Sequence, residues 1–435
     1  MKKCEVVVLA GGFGTRMSGQ FPDIPKPLIP INNMPVLEHL INECKKYHKK
    51  EILVVLHYMP EKIKNYFGDG SKFGVNINYY VEEVPLGTAG ALLAVKHLLD
   101  ETFLVLYADV FSNLNINNFF KFHLSRETDI SIVVHPNDHP YDSDIVIVDS
   151  NNKVLKFSAH PHTDIYYKNL VNAAMYIINK SSLTPYESIE KAKSDIAQDM
   201  FPYLLQNGID ISAYKTCEYI KDMGTPERLI NVENDINNGV ANARRISSLK
   251  KAIFLDRDGT INIENGHINN PNDFELINKS GEAINLINKS NFLAICITNQ
   301  PVIARGECTF GELEEIHKKM EYELGLQGAY LDEIYFCPHH TDRGFSGERI
   351  DLKINCDCRK PKPGMLIEAK DNFNLNLKEC WFIGDSEADI GAAQNAGCRS
   401  ILISNRNKNI EDMSYKPTMI KNNIFEAVNY ILNLD

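Results

Sequence analysis

No apolar run in this chain approaches the ~20 residues needed to cross a bilayer. Basic residues are outnumbered, 46 Lys and Arg against 57 Asp and Glu, for a net charge of −11. That balance argues against general affinity for nucleic acid or anionic membrane. Any phosphate-bearing ligand must therefore be held by local groups. Cysteine is sparse, ten in 435 residues, too few for a disulfide scaffold. Three cysteines cluster at Cys337, Cys356 and Cys358 and the rest are scattered. This is the distribution of a metal site plus reduced thiols in a cytosolic protein. Glycine (25) and proline (19) are too few for a collagen-like or linker-dominated chain. The opening MKKCEVVVLAGG starts with charge like a signal peptide. Its apolar run is short, however, and ends in Gly-Gly-Phe-Gly-Thr-Arg with no small-residue cleavage site. A cytoplasmic protein is expected.

The 44% hydrophobic and 24% charged residues are those of a globular chain, and 435 residues predict two or three domains. Strand-like runs fall at Glu5–Leu9, Glu51–Leu56, Asn76–Val81, Thr102–Tyr107 and Ile130–Val134, with helix-period segments such as Val36–Lys46 and Ala89–Leu98 between them. This alternation predicts an α/β domain with a mixed, mostly parallel sheet. Gly224-Thr225-Pro226-Glu227 opens a helix that ends near Asn237. The polar stretch 239–250 reads as a linker between domains at 1–238 and 251–435. A second α/β series begins at Lys251–Leu255 and continues through Ala294–Ile297, Trp381–Ile383 and Ser400–Ile403.

Val6-Val7-Val8-Leu9-Ala10-Gly11-Gly12-Phe13-Gly14-Thr15-Arg16 is a buried strand running into a glycine turn. Such a turn lets backbone N–H groups approach phosphates, and Arg16 adds a charged fork. Pro25-Lys26-Pro27 follows, and the spacing matches neither the Walker nor the dinucleotide fingerprint. With Pro85-Leu86-Gly87-Thr88-Ala89-Gly90, Ala108-Asp109, Asn172-Ala173 and Asp222-Met223-Gly224-Thr225-Pro226, residues 1–235 resemble the sugar-1-phosphate nucleotidyltransferases. The resemblance implies a Rossmann-like fold. It implies that Leu9, Ala10, Gly11, Gly12, Gly14, Thr15 and Arg16 hold a triphosphate, and that Lys26 stabilises charge as pyrophosphate leaves. Gly87 and Thr88 would lie against the base, with Glu83 nearby, and Asn172 would contact substrate. Asp109 and Asp222 would bind Mg²⁺. Family members carry a Glu-Lys pair after a Val-x-x-Phe strand. Here Val154-Leu155-Lys156-Phe157 leads instead to Ser158-Ala159-His160-Pro161, so His160 is expected near the sugar phosphate, with Lys156 and Lys168 as alternatives.

Ile253-Phe254-Leu255-Asp256-Arg257-Asp258-Gly259-Thr260 is an apolar strand ending in two carboxylates at i and i+2, suited to a nucleophile and an acid/base. Thr298-Asn299-Gln300, Arg359-Lys360-Pro361-Lys362-Pro363-Gly364 and Gly384-Asp385-Ser386-Glu387-Ala388-Asp389 follow in order. Residues 250–425 thus resemble the haloacid-dehalogenase-like (HAD-like) phosphatases. The resemblance implies Asp256 as nucleophile and Asp258 as acid/base. Thr298 and Lys360 would steady the phosphoryl group, and Asp256, Asp258 (through its carbonyl) and Asp385 would hold Mg²⁺.

Cys337-x-His339 and Cys356-x-Cys358 supply three thiolates and one imidazole, a closed tetrahedral set for structural Zn²⁺. Leading directly into Arg359-Lys360-Pro361, this arrangement resembles the capless D-glycero-D-manno-heptose-1,7-bisphosphate 7-phosphatases and the related histidinol-phosphate phosphatases. Substrate contacts implied by the resemblance are Glu264, Asn265, Gly266, His267, Asn299, Gln300, Pro301 and Arg359. The expected protein is a bifunctional enzyme whose partners are heptose phosphates and a nucleoside triphosphate, GTP because the Leu-Gly-Thr-Ala-Gly string resembles that of the mannose- and heptose-1-phosphate guanylyltransferases, with cytidylyl and uridylyl transfer as the other readings. A fusion to a histidinol-phosphate phosphatase and a nucleotide-sensing N-terminal domain are the alternatives.

Overall fold

The computed structural model describes residues 3–12, 17, 19–189, 193–404 and 413–434. Two compact units emerge, one of Met1–His135, Ser143–His160 and Leu170–Arg245, the other of Pro136–Asp142, Pro161–Asn169 and Ile246–Asp435. The stretch expected as a linker is thus partly a folded element. Val240–Ala243 forms a helical turn, Val240 and Ala241 are buried, and Asn113 Nδ2 donates to the Ala241 carbonyl at 2.7 Å. Those two apolar side chains draw it into the first unit.

The first unit is built on a nine-stranded mixed sheet. Its strands are β1 (Cys4–Ala10), β2 (Glu51–Leu56), β3 (Asn76–Val81), β4 (Leu99–Tyr107), β5 (Ile130–His135), β6 (Ile145–Val148), β7 (Val154–Ser158), β8 (Val171–Asn179) and β9 (Ile211–Lys215). The order is β7-β6-β8-β4-β1-β2-β3, with β5 on β8 and β9 on β5. β4, β1, β2 and β3 are parallel, whereas β8 runs antiparallel to β4. The run Val6-Val7-Val8-Leu9 has apolar side chains on both faces, as a strand covered on both sides requires. Val7 and Leu9 join the cluster containing Ala91, Leu92 and Val95 of helix α2 (Gly87–Val95), while Val6 and Val8 join that of Leu37, Leu40 and Ile41 of helix α1 (Val36–Lys46). Helix α2 begins two residues before the expected start. It gives way to a 3₁₀ turn at Lys96–Leu98.

The second unit has a six-stranded, wholly parallel sheet. Its strands are β10 (Lys251–Leu255), β11 (Phe292–Asn299), β12 (Glu333–Cys337), β13 (Trp381–Gly384), β14 (Arg399–Ile403) and β15 (Met419–Lys421), in the order β12-β11-β10-β13-β14-β15. Ile253 and Leu255 pack with helices Ser280–Asn288, Phe310–Leu326 and Ile424–Leu432. Asp256, Thr298, Cys337 and Asp385 sit at or just past the carboxyl ends of β10, β11, β12 and β13, the edge at which parallel sheets place their sites. No helix among the described residues is long and apolar enough to cross a membrane.

Candidate active sites

Strand β1 delivers Leu9, Ala10, Gly11 and Gly12 to a cavity of about 280 Å³, also lined by Lys26, Glu82, Gly87, Thr88, Tyr107, Asp109 and Lys193. At Gly11 a Cβ would come within 2.7 Å of a Glu82 carboxylate oxygen, so a side chain there would displace that carboxylate. Gly87 has φ +77°, and a Cβ there would run into the Ser194 carbonyl, so only glycine fits. Lys26 Nζ donates to Asp109 Oδ2 at 2.8 Å. Asp222 is brought close through backbone pairing opposite Val110, and its carboxylate accepts two bonds from Arg228 Nη1 at 2.8 and 2.9 Å. Thr88 Oγ1 donates to Asp195 Oδ2 at 2.8 Å, which fixes the α2 N-terminus. Burial pushes the Tyr107 phenol well above its usual range, so it remains a neutral hydroxyl.

In the second unit Lys360 Nζ lies 2.6 Å from Asp256 Oδ1 and 2.6 Å from Asp389 Oδ1, and donates to the Ile297 carbonyl at 2.9 Å. The carboxylates of Asp256, Asp385 and Asp389 converge within 4.8 Å of one another. Burial, reinforced by the Asp389 charge and opposed by Lys360, pushes Asp256 up to about 8. Burial also works against ionised Asp258. The Arg257 guanidinium and bonds from Asn262 and Gln300 outweigh it and hold this carboxyl below its usual range. Arg257 is wholly buried and forks onto both Asp258 oxygens at 3.0 and 2.9 Å. Gln300 Nε2 donates to Asp258 Oδ2 at 2.8 Å and to Thr298 Oγ1 at 2.9 Å.

The sulfur atoms of Cys337, Cys356 and Cys358 lie 3.2–3.5 Å apart, and His339 Nδ1 is 3.3 Å from Cys358 and 3.7 Å from Cys337. A tetrahedron with metal bonds of roughly 2.0–2.3 Å has edges of roughly 3.3–3.8 Å. The donor set is that of a zinc tetrahedron, and the sulfurs need only spread by a few tenths of an ångström, to about 3.8 Å, to hold the ion. Close by, Arg359 Nη1 donates to the His339 carbonyl at 3.2 Å. Burial, Arg359 and Arg305 together hold the His340 imidazole below its usual range.

Residues 5–239 match the nucleotidyl transferase family and residues 357–427 the HAD-hydrolase-like family. The D-glycero-beta-D-manno-heptose-1,7-bisphosphate 7-phosphatase of Vibrio cholerae is 33% identical over 186 residues, 42% of this chain and 98% of that protein. That of Pasteurella multocida is 37% identical over 164 residues, 38% of this chain and 86% of that protein. The chain belongs to both the nucleotidyl transferase and the heptose-bisphosphate 7-phosphatase families. Among solved structures, HddC from Yersinia pseudotuberculosis is 24% identical, covers 53% of this chain and 98% of that protein, and has a TM-score of 0.45.

Against the transferase expectations, Leu9, Ala10, Gly11, Gly12, Lys26, Gly87, Thr88 and Asp109 share one cavity. Gly14, Thr15 and Arg16 lie outside the described residues. Glu83 is outside the lining and its neighbour Glu82 is in it. Just past the end of β3 Glu83 is exposed, whereas Glu82 is buried and its Oε1 accepts the Leu86 N–H at 3.1 Å. Asn172 is not in the lining, and its amide donates to the Tyr176 hydroxyl at 2.9 Å. His160 and Lys156 are exposed and outside the lining, and Lys168 lies 3.6 Å from Glu314 within the second unit. The added cation in the lining is Lys193, which no motif marked.

For the phosphatase, Asp256, Asp258, Thr298, Lys360 and Asp385 gather as expected, and Asp389 joins them. Asp389 stands at i+4 from Asp385 in the same segment, a spacing that carries its signal. Asn299 and Gln300 serve the protein itself. Asn299 Nδ2 donates to the Lys360 carbonyl at 3.2 Å and its Oδ1 accepts the Lys360 N–H at 3.0 Å. Replacing Asn299 by Ala frees the Lys360 backbone. It is expected to lower phosphatase kcat by about tenfold to a hundredfold with zinc content unchanged, measured as phosphate release. Glu264, Asn265, Gly266 and His267 are exposed, Pro301 is half-buried, and the loop after it places Arg305 beside His267.

Proposed function

We propose that the second unit removes the 7-phosphate of D-glycero-D-manno-heptose 1,7-bisphosphate and that the first transfers a guanylyl group from GTP to the resulting heptose 1-phosphate. The activated heptose would serve surface-polysaccharide synthesis. The observation that carries the reading is the pairing of the two families in one chain. Hydrolysis at C7 leaves a sugar 1-phosphate, the class of nucleophile that a sugar nucleotidyltransferase uses.

In the phosphatase step Asp256 attacks phosphorus as the carboxylate that Lys360 and a bound divalent cation would keep ionised, and the sugar oxygen leaves with a proton from Asp258, which takes up that proton as the anionic phosphoryl group is brought against it. Asp258 then deprotonates the water that releases phosphate from the aspartyl-phosphate. Lys360 and the Thr298 hydroxyl offset the charge of the transferring group. Three carboxylates, Asp256, Asp385 and Asp389, surround the single ammonium of Lys360 in a buried pocket. That uncompensated negative charge fits a divalent cation. Mg²⁺ bound there would supply electrostatic screening of the phosphoryl oxygens. In the transferase step the sugar phosphate displaces pyrophosphate at the α-phosphorus. Lys26 steadies the departing charge, and Asp109 and Asp222 are the groups that would hold Mg²⁺. The thiolates of Cys337, Cys356 and Cys358 with His339 would hold Zn²⁺ in a structural role.

Glu82 supports the choice of guanine. A carboxylate only accepts hydrogen bonds, and guanine presents two adjacent donors, N1–H and N2–H, whereas uracil presents one between two acceptors. Replacing Glu82 by Gln is expected to raise KM for GTP by about 10- to 100-fold. An unchanged KM would remove Glu82 from base recognition. The decisive test is incubation with heptose 1,7-bisphosphate, Mg²⁺ and a nucleotide panel, products being read by mass. GDP-heptose is expected, and a different nucleoside diphosphate heptose would correct the base.

A further inference from the structure

Arg257, between the nucleophile and the acid/base in the chain, is wholly buried, so its guanidinium must find acceptors inside the protein. Nε and Nη2 fork onto the Asp258 carboxylate, Nε donating to Oδ1 at 3.1 Å. Nη2 also donates to Gln300 Oε1 at 3.0 Å. Nη1 is directed to His317 Nε2, 3.3 Å away. A guanidinium only donates, so this ring nitrogen is the acceptor and the imidazole is neutral, with its proton on Nδ1. Burial, then the charges of Arg257 and Lys168, hold His317 well below its usual range, which keeps the ring neutral at physiological pH. His317 comes from outside the motifs that mark the site. It sits mid-way along helix Phe310–Leu326, whose first turn is closed by a capping box between Thr309 and Glu312. Leu313, Ile316, Met320 and Leu324 bury that helix in the unit. The Phe336 ring of β12 meets the imidazole edge-on, with centroids 5.7 Å apart. A helix fixed by its own packing thus grips the end of the guanidinium that Asp258 does not use.

Gln300 carries this orientation further. Because Arg257 presents only donors, the Gln300 amide turns its oxygen to Arg257 and its nitrogen to Asp258 Oδ2 and Thr298 Oγ1, at 2.8 and 2.9 Å. Thr298 Oγ1 accepts from that nitrogen, which leaves the hydroxyl proton for a phosphoryl oxygen. One guanidinium setting therefore fixes both the acid/base and the hydroxyl. We propose that His317 is a positioning residue for the phosphatase step, which by accepting from Arg257 locks the guanidinium that aims Asp258 at the leaving oxygen and Gln300 at Thr298. This rests on the phosphatase reading above and adds to it a residue that touches neither substrate nor metal.

The test measures phosphate release from heptose 1,7-bisphosphate by the full-length, zinc-loaded enzyme with Mg²⁺, in two variants that separate the acceptor from the ring. His317→Phe keeps an aromatic ring against Phe336 and removes the acceptor. His317→Gln removes the ring and returns an acceptor, the side-chain amide oxygen, close to where Nε2 stands. His317→Phe is expected to lower kcat by about 10- to 100-fold, as for a buried donor left unpaired beside the acid/base. KM should change by about twofold or less, because the loss falls on the chemical step and not on contacts to the sugar. His317→Gln is expected to keep kcat within about threefold of wild type, since the bond to Arg257 is restored. The reverse order, with His317→Phe active and His317→Gln impaired, makes His317 a packing residue and overturns the proposal. Equal effects in the two variants, or a His317→Phe loss confined to KM, overturn it as well. These results leave the phosphatase reading standing. If His317→Phe fails to fold, as read by the fluorescence of the single tryptophan, Trp381, then His317→Gln decides alone, because a packing role predicts its impairment. A wild-type enzyme that releases no phosphate from the bisphosphate overturns the phosphatase reading and the role of His317 with it.

Discussion

Asp256→Asn is expected to abolish phosphate release from heptose 1,7-bisphosphate, by roughly 10⁴-fold or more, as removal of a covalent nucleophile does. Nucleotidyl transfer to a supplied heptose 1-phosphate should stay within about twofold of wild type. The two chemistries rest on separate residues. Asp256 pairs with Lys360, and Asp109 pairs with Lys26, each within its own unit. Amide for carboxylate is also nearly isosteric, so the fold is little disturbed. It removes one negative charge from a buried group of three, which relieves repulsion with Asp389. The variant should therefore unfold no earlier than wild type. Asp109→Asn is the reciprocal case, expected to stop transfer and spare phosphate release. Loss of both activities in folded Asp256→Asn protein would refute independent sites.

Removal of zinc is expected to have the largest effect on stability. Metal analysis of protein purified without chelator should find about one zinc per chain, by the four-ligand count. Cys358→Ser, or strong chelation, should unfold the second unit first. A structural zinc site contributes folding free energy directly. A loss of about 3–5 kcal/mol in a unit of this size lowers the midpoint by about 10 °C or more. The single tryptophan, Trp381, is buried in the central strand β13 of that unit and reports its unfolding by fluorescence. Phosphatase activity should fall with the zinc, because Cys358 immediately precedes Arg359 and Lys360. A wild-type midpoint in zinc-free protein would show that the cysteine cluster is not structural.

Much of this molecule was legible because its chemistry is local in the chain. Val6–Leu9 and Lys251–Leu255 are continuous apolar runs ending at glycine or aspartate, and a buried parallel strand followed by a functional loop has few other readings. Strands Ile145–Val148, Val171–Asn179 and Ile211–Lys215 carry no such local signal. Val171–Asn179 runs antiparallel, and Ile211–Lys215 parallel, to the strand Ile130–His135 far back along the chain, and Ile145–Val148, though paired with nearby Val154–Ser158, is only four residues long, so tertiary packing selects strand over loop.

Sequence alone determined the two α/β domains, the paired carboxylates Asp256 and Asp258, the four zinc-compatible ligands and the glycines of the nucleotide loop. Each depends on residue type and spacing within one short segment. Tertiary structure decided which carboxylate lines the cavity of the first unit, Glu82 and not Glu83, because the path of the loop after β3 buries one and leaves the other exposed. It bonded Asn299 to the Lys360 backbone and Gln300 to the Asp258 carboxylate. It also brought Arg305 to His340, 35 residues apart in the chain. Direction and company of a polar side chain are set by neighbours distant in sequence, and no spacing rule encodes them.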